Sequence, residues 1–125
     1  MLRFLLLGLL VQAAPAGQSS SERPRKNPFS HTRESVERGR QLYGKHCTPC
    51  HDPKGKPLLP RDPGATRPAD LTRPADWVHG ASDAEVFDTI REGTEEMRGF
   101  GDKLADEEIW RIVHFLRSLA PKESR

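Results

Sequence analysis

The chain has 125 residues and is short of the material that most small domains use for stability. It carries two cysteines, Cys47 and Cys50, and two methionines, Met1 and Met97. Two cysteines cannot form a disulfide framework, and a bond between this pair would close too small a loop to stabilise much. Only 34% of the residues are hydrophobic and the mean hydropathy is −0.72. At this size a core made of protein alone would be thin. No apolar run approaches the roughly 20 residues needed to cross a bilayer, so no stable membrane insertion is expected. The formal net charge of +2 makes no case for a nucleic-acid partner. Paired carboxylates, a nucleophile–base pair and a second metal motif are all missing, so the pattern gives no reason to expect an enzyme.

What the chain does have is Cys47-Thr48-Pro49-Cys50-His51. This C-x-x-C-H run is the attachment pattern of covalent haem. The spacing serves the chemistry. Two thiols three residues apart can each add to one vinyl group of the same porphyrin, and the next residue, His51, is carried to where its imidazole can bind the iron. Zinc is a weaker reading, because it needs four ligands, usually in two pairs. His31, His46, His79 and His114 are scattered and form no such pair. A thioredoxin-like redox pair expects a βαβ context, and no strand–helix alternation surrounds Cys47. One covalent haem would also supply the core that the composition lacks.

The first residues read as a secretory signal peptide over 1–16. Arg3 precedes an apolar run from Phe4 to Val11, broken by Gly8, and Ala14-Pro15-Ala16 offers a small-residue cleavage site. No cysteine follows for a lipid anchor. A periplasmic or otherwise extracytoplasmic location is therefore expected. Residues 17–33 are polar, with Pro24 and Pro28, and read as a flexible or surface-wrapping extension. Residues 34–120 form the expected domain and 121–125 a short tail.

Within that domain Val36, Gly39, Tyr43 and Cys47 share one helical face, which predicts a helix from about Ser35 to His46. Gly39 costs about 1 kcal/mol relative to alanine inside a helix, and so points to close approach of another element. Residues 52–82, with six prolines and three glycines, predict a long loop. Ser82-Asp83-Ala84-Glu85 is a capping box opening a short helix with Val86, Phe87 and Ile90 on its apolar face, stopped by Gly93. Asp106, Glu107 and Glu108 open a last helix whose stripe is Ile109, Ile112, Val113, Leu116 and Leu119, ended by Pro121. His31, His46, His79 and His114 are expected to be solvated side chains. The fold class expected is all-α and loop-rich, without strands.

A helix leading into C-x-x-C-H, a loop, a short helix, a lone methionine and a final helix together resemble the class I (mono-haem) cytochrome c family. The resemblance covers about residues 33–120 and is closest in SVERGRQLYGKHCTPCHDPKG, PADLT and the segment from Asp83 to Leu119. It implies three to five helices packed around one haem c, with the first and last crossing near Gly39, Tyr43, Trp110 and Phe115. It implies Cys47 and Cys50 as the thioether residues, and His51 and Met97 as the iron ligands. Met97 also stands out by itself. It is the sole thioether once Met1 leaves with the signal peptide, and its setting, Glu95-Glu96-Met97-Arg98-Gly99, has no core stripe to explain it. Arg98 replaces the proline that the family often has there, which implies a looser loop. His79 is the alternative ligand. The resemblance further implies that a loop carbonyl, that of Pro68, orients the histidine and that Leu71 packs on the ring. The function implied is one-electron transfer between protein redox partners, as a monomer or a subunit of a complex. The alternatives are an electron-transfer subunit of a periplasmic dehydrogenase or sulfur-oxidising complex and, further off, a ligand-binding haem sensor or peroxidase.

Overall fold

Thr32 begins the ordered architecture. Its Oγ1 accepts the Ser35 amide at 3.0 Å and so caps helix α1, Arg33–His46. The expected start at Ser35 was two residues late because this cap lies just ahead of the apolar pattern. Glu34 in the first turn and Lys45 and His46 in the last complement the helix dipole. Helix α2, Asp83–Glu92, opens on the expected capping box. Ser82 Oγ accepts from the Glu85 amide, and the Glu85 carboxylate accepts from the Ser82 amide at 2.9 Å. Helix α3, Asp106–Leu119, has three acids in its first turn, and Glu108 reaches back to the Ala105 amide at 3.2 Å. The computed structural model describes residues 26–121. The expected signal peptide, most of the expected extension and residues 122–125 lie outside the described residues.

The fold is all-α, with three α-helices and no strand among the described residues. The long loop holds a single 3-10 turn, Pro74–Asp76. Two isolated antiparallel bridges, His51 with Pro57 and Gly93 with Arg98, close small loops.

Helices α1 and α3 cross at Gly39. A Cβ there would stand 2.6 Å from the Arg111 carbonyl carbon and 3.0 Å from Phe115 Cβ, so the absence of a side chain is what lets the backbones meet. Beside the crossing, Tyr43 and Phe115 have ring centroids 5.0 Å apart. On the other side of α3, Trp110 stacks on Phe87 of α2 at 4.2 Å. The core is Leu42 and Tyr43 from α1, Val86, Phe87 and Ile90 from α2, Phe100 and Leu104, and Ile109, Trp110, Ile112, Val113, Phe115 and Leu116 from α3. Ion pairs tie the elements at their edges: Arg38 to Glu108 at 3.3 Å, Arg91 to Asp106 at 3.1 Å and Arg117 to Asp83 at 2.9 Å. Such surface pairs contribute at most about 1 kcal/mol each, so the packing of α3 between its neighbours dominates.

One histidine departs from expectation. His114 is buried, not solvated, and Ser35 Oγ lies 2.5 Å from its Nδ1. Ser35 is itself wholly buried. The reason is that α3 is covered on more sides than one apolar stripe requires. Residues 26–32 lie along it. Asn27 Nδ2 donates to the Trp110 carbonyl at 2.8 Å, Phe29 packs against the core under the Arg111 guanidinium at 4.7 Å, and the His31 ring meets His114 edge-on at 4.9 Å. The described end of the extension therefore wraps the domain. His46 is half-buried, its ring edge-on to Phe100 at 6.0 Å, while His79 is exposed on the loop.

Candidate haem-binding site

Helix α1 delivers the C-x-x-C-H residues in one further helical turn. The Cys47 amide closes the helix on Tyr43 O at 2.9 Å, and the Cys50 and His51 amides both donate to Cys47 O, at 3.3 and 3.0 Å. Residues three and four apart in such a turn lie on one side, so the two thiols and the imidazole are brought together. Both thiols are free. Cys50 is exposed, whereas burial pushes the half-buried Cys47 thiol up to about 11.

The loop after His51 is folded back by its own side chain and backbone. Asp52 Oδ1 accepts the Lys54 and Lys56 amides, each at 2.8 Å, and the Asp52 amide donates to Lys56 O at 2.7 Å. Gly55, with φ of +83°, makes the reversal. Tyr43 Oη, held protonated by burial, donates to the Asp52 carbonyl at 2.6 Å and ties this loop to the helix crossing. The Asp52-Pro53-Lys54-Gly55 string is a turn signal that would have exposed this arrangement in the sequence.

His51 is buried, and burial lowers its pKa, favouring the neutral imidazole that metal binding needs. Its Nδ1 is the buried side-chain nitrogen that, among the described residues, has no hydrogen-bond partner. The Ala69 backbone and the Asp52 charge work against the lowering. Pro68, the residue that the resemblance named, precedes Ala69 in the chain. Pro68 is half-buried, and Leu71 is half-buried against the core.

Met97 closes a turn whose tip is Glu95 and Glu96. Thr94 N donates to Met97 O at 2.8 Å, Met97 N donates to Thr94 Oγ1 at 3.1 Å, and Gly93 opens the turn at φ of +78°. Met97 is half-buried and packs on the core. Arg98, expected to loosen the turn, lies with its guanidinium over the Phe100 ring at 5.5 Å.

A network absent from the sequence reading supports the loop. Lys56 Nζ donates to Asp70 Oδ2 at 3.0 Å and to Thr72 Oγ1 at 2.9 Å, and Trp77 Nε1 donates to the Asp70 carbonyl at 2.8 Å. The Thr72 and Lys56 donors hold the Asp70 carboxyl down at about 2.

The residues present fit a covalently held haem. Two unbonded thiols flank a turn that ends in a buried histidine with an unpaired ring nitrogen. Cys47, Leu71, Trp77 and Met97 are half-buried apolar side chains packed against one core, able to bury a flat apolar group between them. Among the described residues no three His, Cys, Asp or Glu side chains gather as a protein-only metal centre would need. No described helix is long and apolar enough to cross a membrane.

No curated protein matches the chain. A family model described as cytochrome C oxidase, cbb3-type, subunit III, matches residues 34–116. That span takes in the C-x-x-C-H turn, the long loop, Met97 and nearly all of α3. The three-helix frame and the turn that presents Cys47, Cys50 and His51 agree with it, and the chain belongs to this family of c-type cytochromes.

Proposed function

We propose that this protein carries single electrons between protein partners outside the cytoplasm, using one haem c attached through Cys47 and Cys50 and held by His51 and Met97. Family membership supplies the haem and the electron-transfer role in general terms. The observation that carries the specific reading is the buried His51, placed by a helical turn directly after two free thiols.

When bound, the haem supplies an iron that gains and loses one electron. The chain's residues do the rest. Cys47 and Cys50 would hold the haem by thioether bonds, each sulfur bonding one vinyl carbon and its proton going to the other, with no leaving group. His51 and Met97 would hold the iron, and a methionine ligand would favour its reduced state. With both residues on the iron no position would be left for oxygen or peroxide, which suits a carrier and not an enzyme by itself. Leu71 and Pro68 would keep water from the ring. Residues 34–120 form the carrier domain, and residues 1–16 direct it across the membrane. The partners are redox proteins, with no role for nucleic acid or for membrane insertion of this domain.

The printed description of the matched family names an oxidase subunit, and this favours a second arrangement in which the carrier is fixed in a respiratory complex rather than diffusing freely. Purification from the native membrane and soluble fractions separates the two, since a fixed subunit co-purifies with a stable partner.

The test is the optical spectrum of the protein made in a host that attaches haem. One haem per chain should survive acid-acetone extraction, and the reduced protein should bind carbon monoxide slowly or not at all. Haem lost to the solvent, or rapid carbon monoxide binding by the parent, overturns the reading.

A further inference from the structure

Helix α2 ends with the chain doubling back on it. The last carbonyls of a helix have no partner inside it, and here the returning chain supplies two. The Phe100 amide donates to the Ile90 carbonyl at 2.8 Å and the Gly101 amide to the Arg91 carbonyl at 2.9 Å. Phe100 is buried, with the Arg98 guanidinium over its ring. On the other side of the turn, the Gly93 amide donates to the Thr89 carbonyl at 2.9 Å. Both ends of the segment are fixed to α2, and residues 94–97 span the gap between them.

One side chain organises that span. Thr94 Oγ1 accepts the Glu96 amide at 3.2 Å and the Met97 amide at 3.1 Å, and its hydroxyl donates to Glu96 Oε2 at 3.3 Å. The Thr94 amide donates to the Met97 carbonyl at 2.8 Å. Both backbone polar groups of Met97 are thus bonded to Thr94, which sets the direction of the Met97 Cα–Cβ bond. Glu95 and Glu96 are left exposed, while Met97 is half-buried against the core.

We infer that Thr94 is a positioning residue for Met97, its hydroxyl holding the turn in the form that directs the thioether inward. The inference rests on the haem reading above, with Met97 as the second iron ligand. A thioether is neutral and sits on a side chain with three rotatable bonds, so its place depends on the backbone that carries it. The turn expected to be loose because Arg98 follows the methionine is instead closed from its other end. Without the hydroxyl, the Glu96 and Met97 amides turn to water, and the sulfur is withdrawn more often.

Thr94→Val keeps the shape of the side chain and every charge but removes the hydroxyl. In the haem-loaded protein, withdrawal of Met97 is read by the rate of carbon monoxide binding to the reduced form and by the affinity of added imidazole for the oxidised form. Both should rise about tenfold, the effect of losing one to two ordinary hydrogen bonds. Thr94→Ser restores the hydroxyl and should stay within about twofold of the parent. A threonine that merely fills space would give the reverse order, with valine the better replacement. Hydrogen exchange in the parent supplies a measurement that needs no variant. Corrected for intrinsic rates, the Met97 amide should exchange about tenfold more slowly than the Glu95 amide at the tip. Unchanged ligand binding in Thr94→Val, serine no better than valine, or an unprotected Met97 amide overturns the inference. A parent without the sulfur-to-iron band would instead overturn the reading on which it rests.

Discussion

Replacing Gly39 by alanine measures how closely α1 and α3 approach. The added methyl would stand 2.6 Å from the carbonyl carbon of Arg111, with that carbonyl's oxygen closer still, and 3.0 Å from Phe115 Cβ. Optimal contact between carbon atoms is about 3.5–4.0 Å, so α3 must retreat by about 1 Å. The obstructing atoms belong to the backbone of a buried helix and cannot rotate away. Overpacking of this kind costs about 1–3 kcal/mol, and an immovable obstacle belongs at the upper end. Against it stands about 1 kcal/mol of improved helix propensity. The net loss is about 2 kcal/mol. For a domain near 100 residues each kcal/mol moves Tm by about 4–8 °C, so Tm should fall by about 8–16 °C. Gly44 lies in the same helix, and a Cβ there meets nothing within 4 Å. Gly44→Ala should therefore gain up to about 1 kcal/mol and raise Tm. Thermal unfolding of the haem-loaded proteins, followed by helical ellipticity, compares the pair. Equal stability of parent and Gly39→Ala, or movement of both variants in one direction, would refute the crossing argument.

Three further perturbations probe the site and the wrap around α3. Met97→Ala should remove the weak long-wavelength sulfur-to-iron band, lower the reduction potential and open the iron to fast carbon monoxide binding; an unchanged spectrum would move the sixth ligand to His79 or to no residue at all. Cys47→Ala with Cys50→Ala should give protein without covalent haem and with little stable helix, because the apolar core is thin; a well-folded double variant would count against the haem as a core element. His114 has its pKa lowered first by burial and then by His31 and Arg111, with Asp83 and the Phe29 backbone opposing. The fold thus prefers the neutral ring, while the unfolded chain binds a proton near pH 6.5. Stability should be level above about pH 7 and decline as the pH drops through about 6.5 towards the lower folded value. Urea midpoints at about pH 7.5 and pH 5.5 should differ in the parent and converge in His114→Gln; an undiminished difference assigns the effect elsewhere.

The parts legible in the sequence are those whose physics is local. Covalent attachment needs two thiols and an imidazole at fixed spacing, so Cys47, Cys50 and His51 stand out without any fold. The capping box at Ser82 and Glu85 closes within four residues, and the acids at the start of α3 act on the nearest dipole. Gly39 was legible for a different reason, since a glycine tolerated inside a helix has to be explained by a neighbour. Leu42 was missed because the face drawn through Val36, Gly39 and Tyr43 is narrower than the one α1 buries. His114 was misjudged because a single stripe is the wrong template for a helix packed by α1, by α2 and by the wrap of residues 26–32.

The long loop shows where pattern reading stops. Residues 52–82 have no apolar period because only scattered positions such as Leu71 and Trp77 pack on the core. Much of their order comes from hydrogen bonds spanning 14 to 16 residues between Lys56 and Asp70 or Thr72, and from backbone bonds such as that from Leu71 to Gly55. Each partner is an ordinary polar residue, and nothing in its neighbours singles it out. Yet these contacts converge on the two sides of His51, the one residue that the sequence marked most clearly. The histidine is chosen locally, by its spacing from the thiols, while its surroundings are assembled over distance by residues with no motif. This division explains why Cys47, Cys50 and His51 were named from the sequence and Lys56, Asp70 and Thr72 were not: a fixed spacing can be read from neighbours, whereas contacts closed over 14 to 16 residues can be read only from the folded loop.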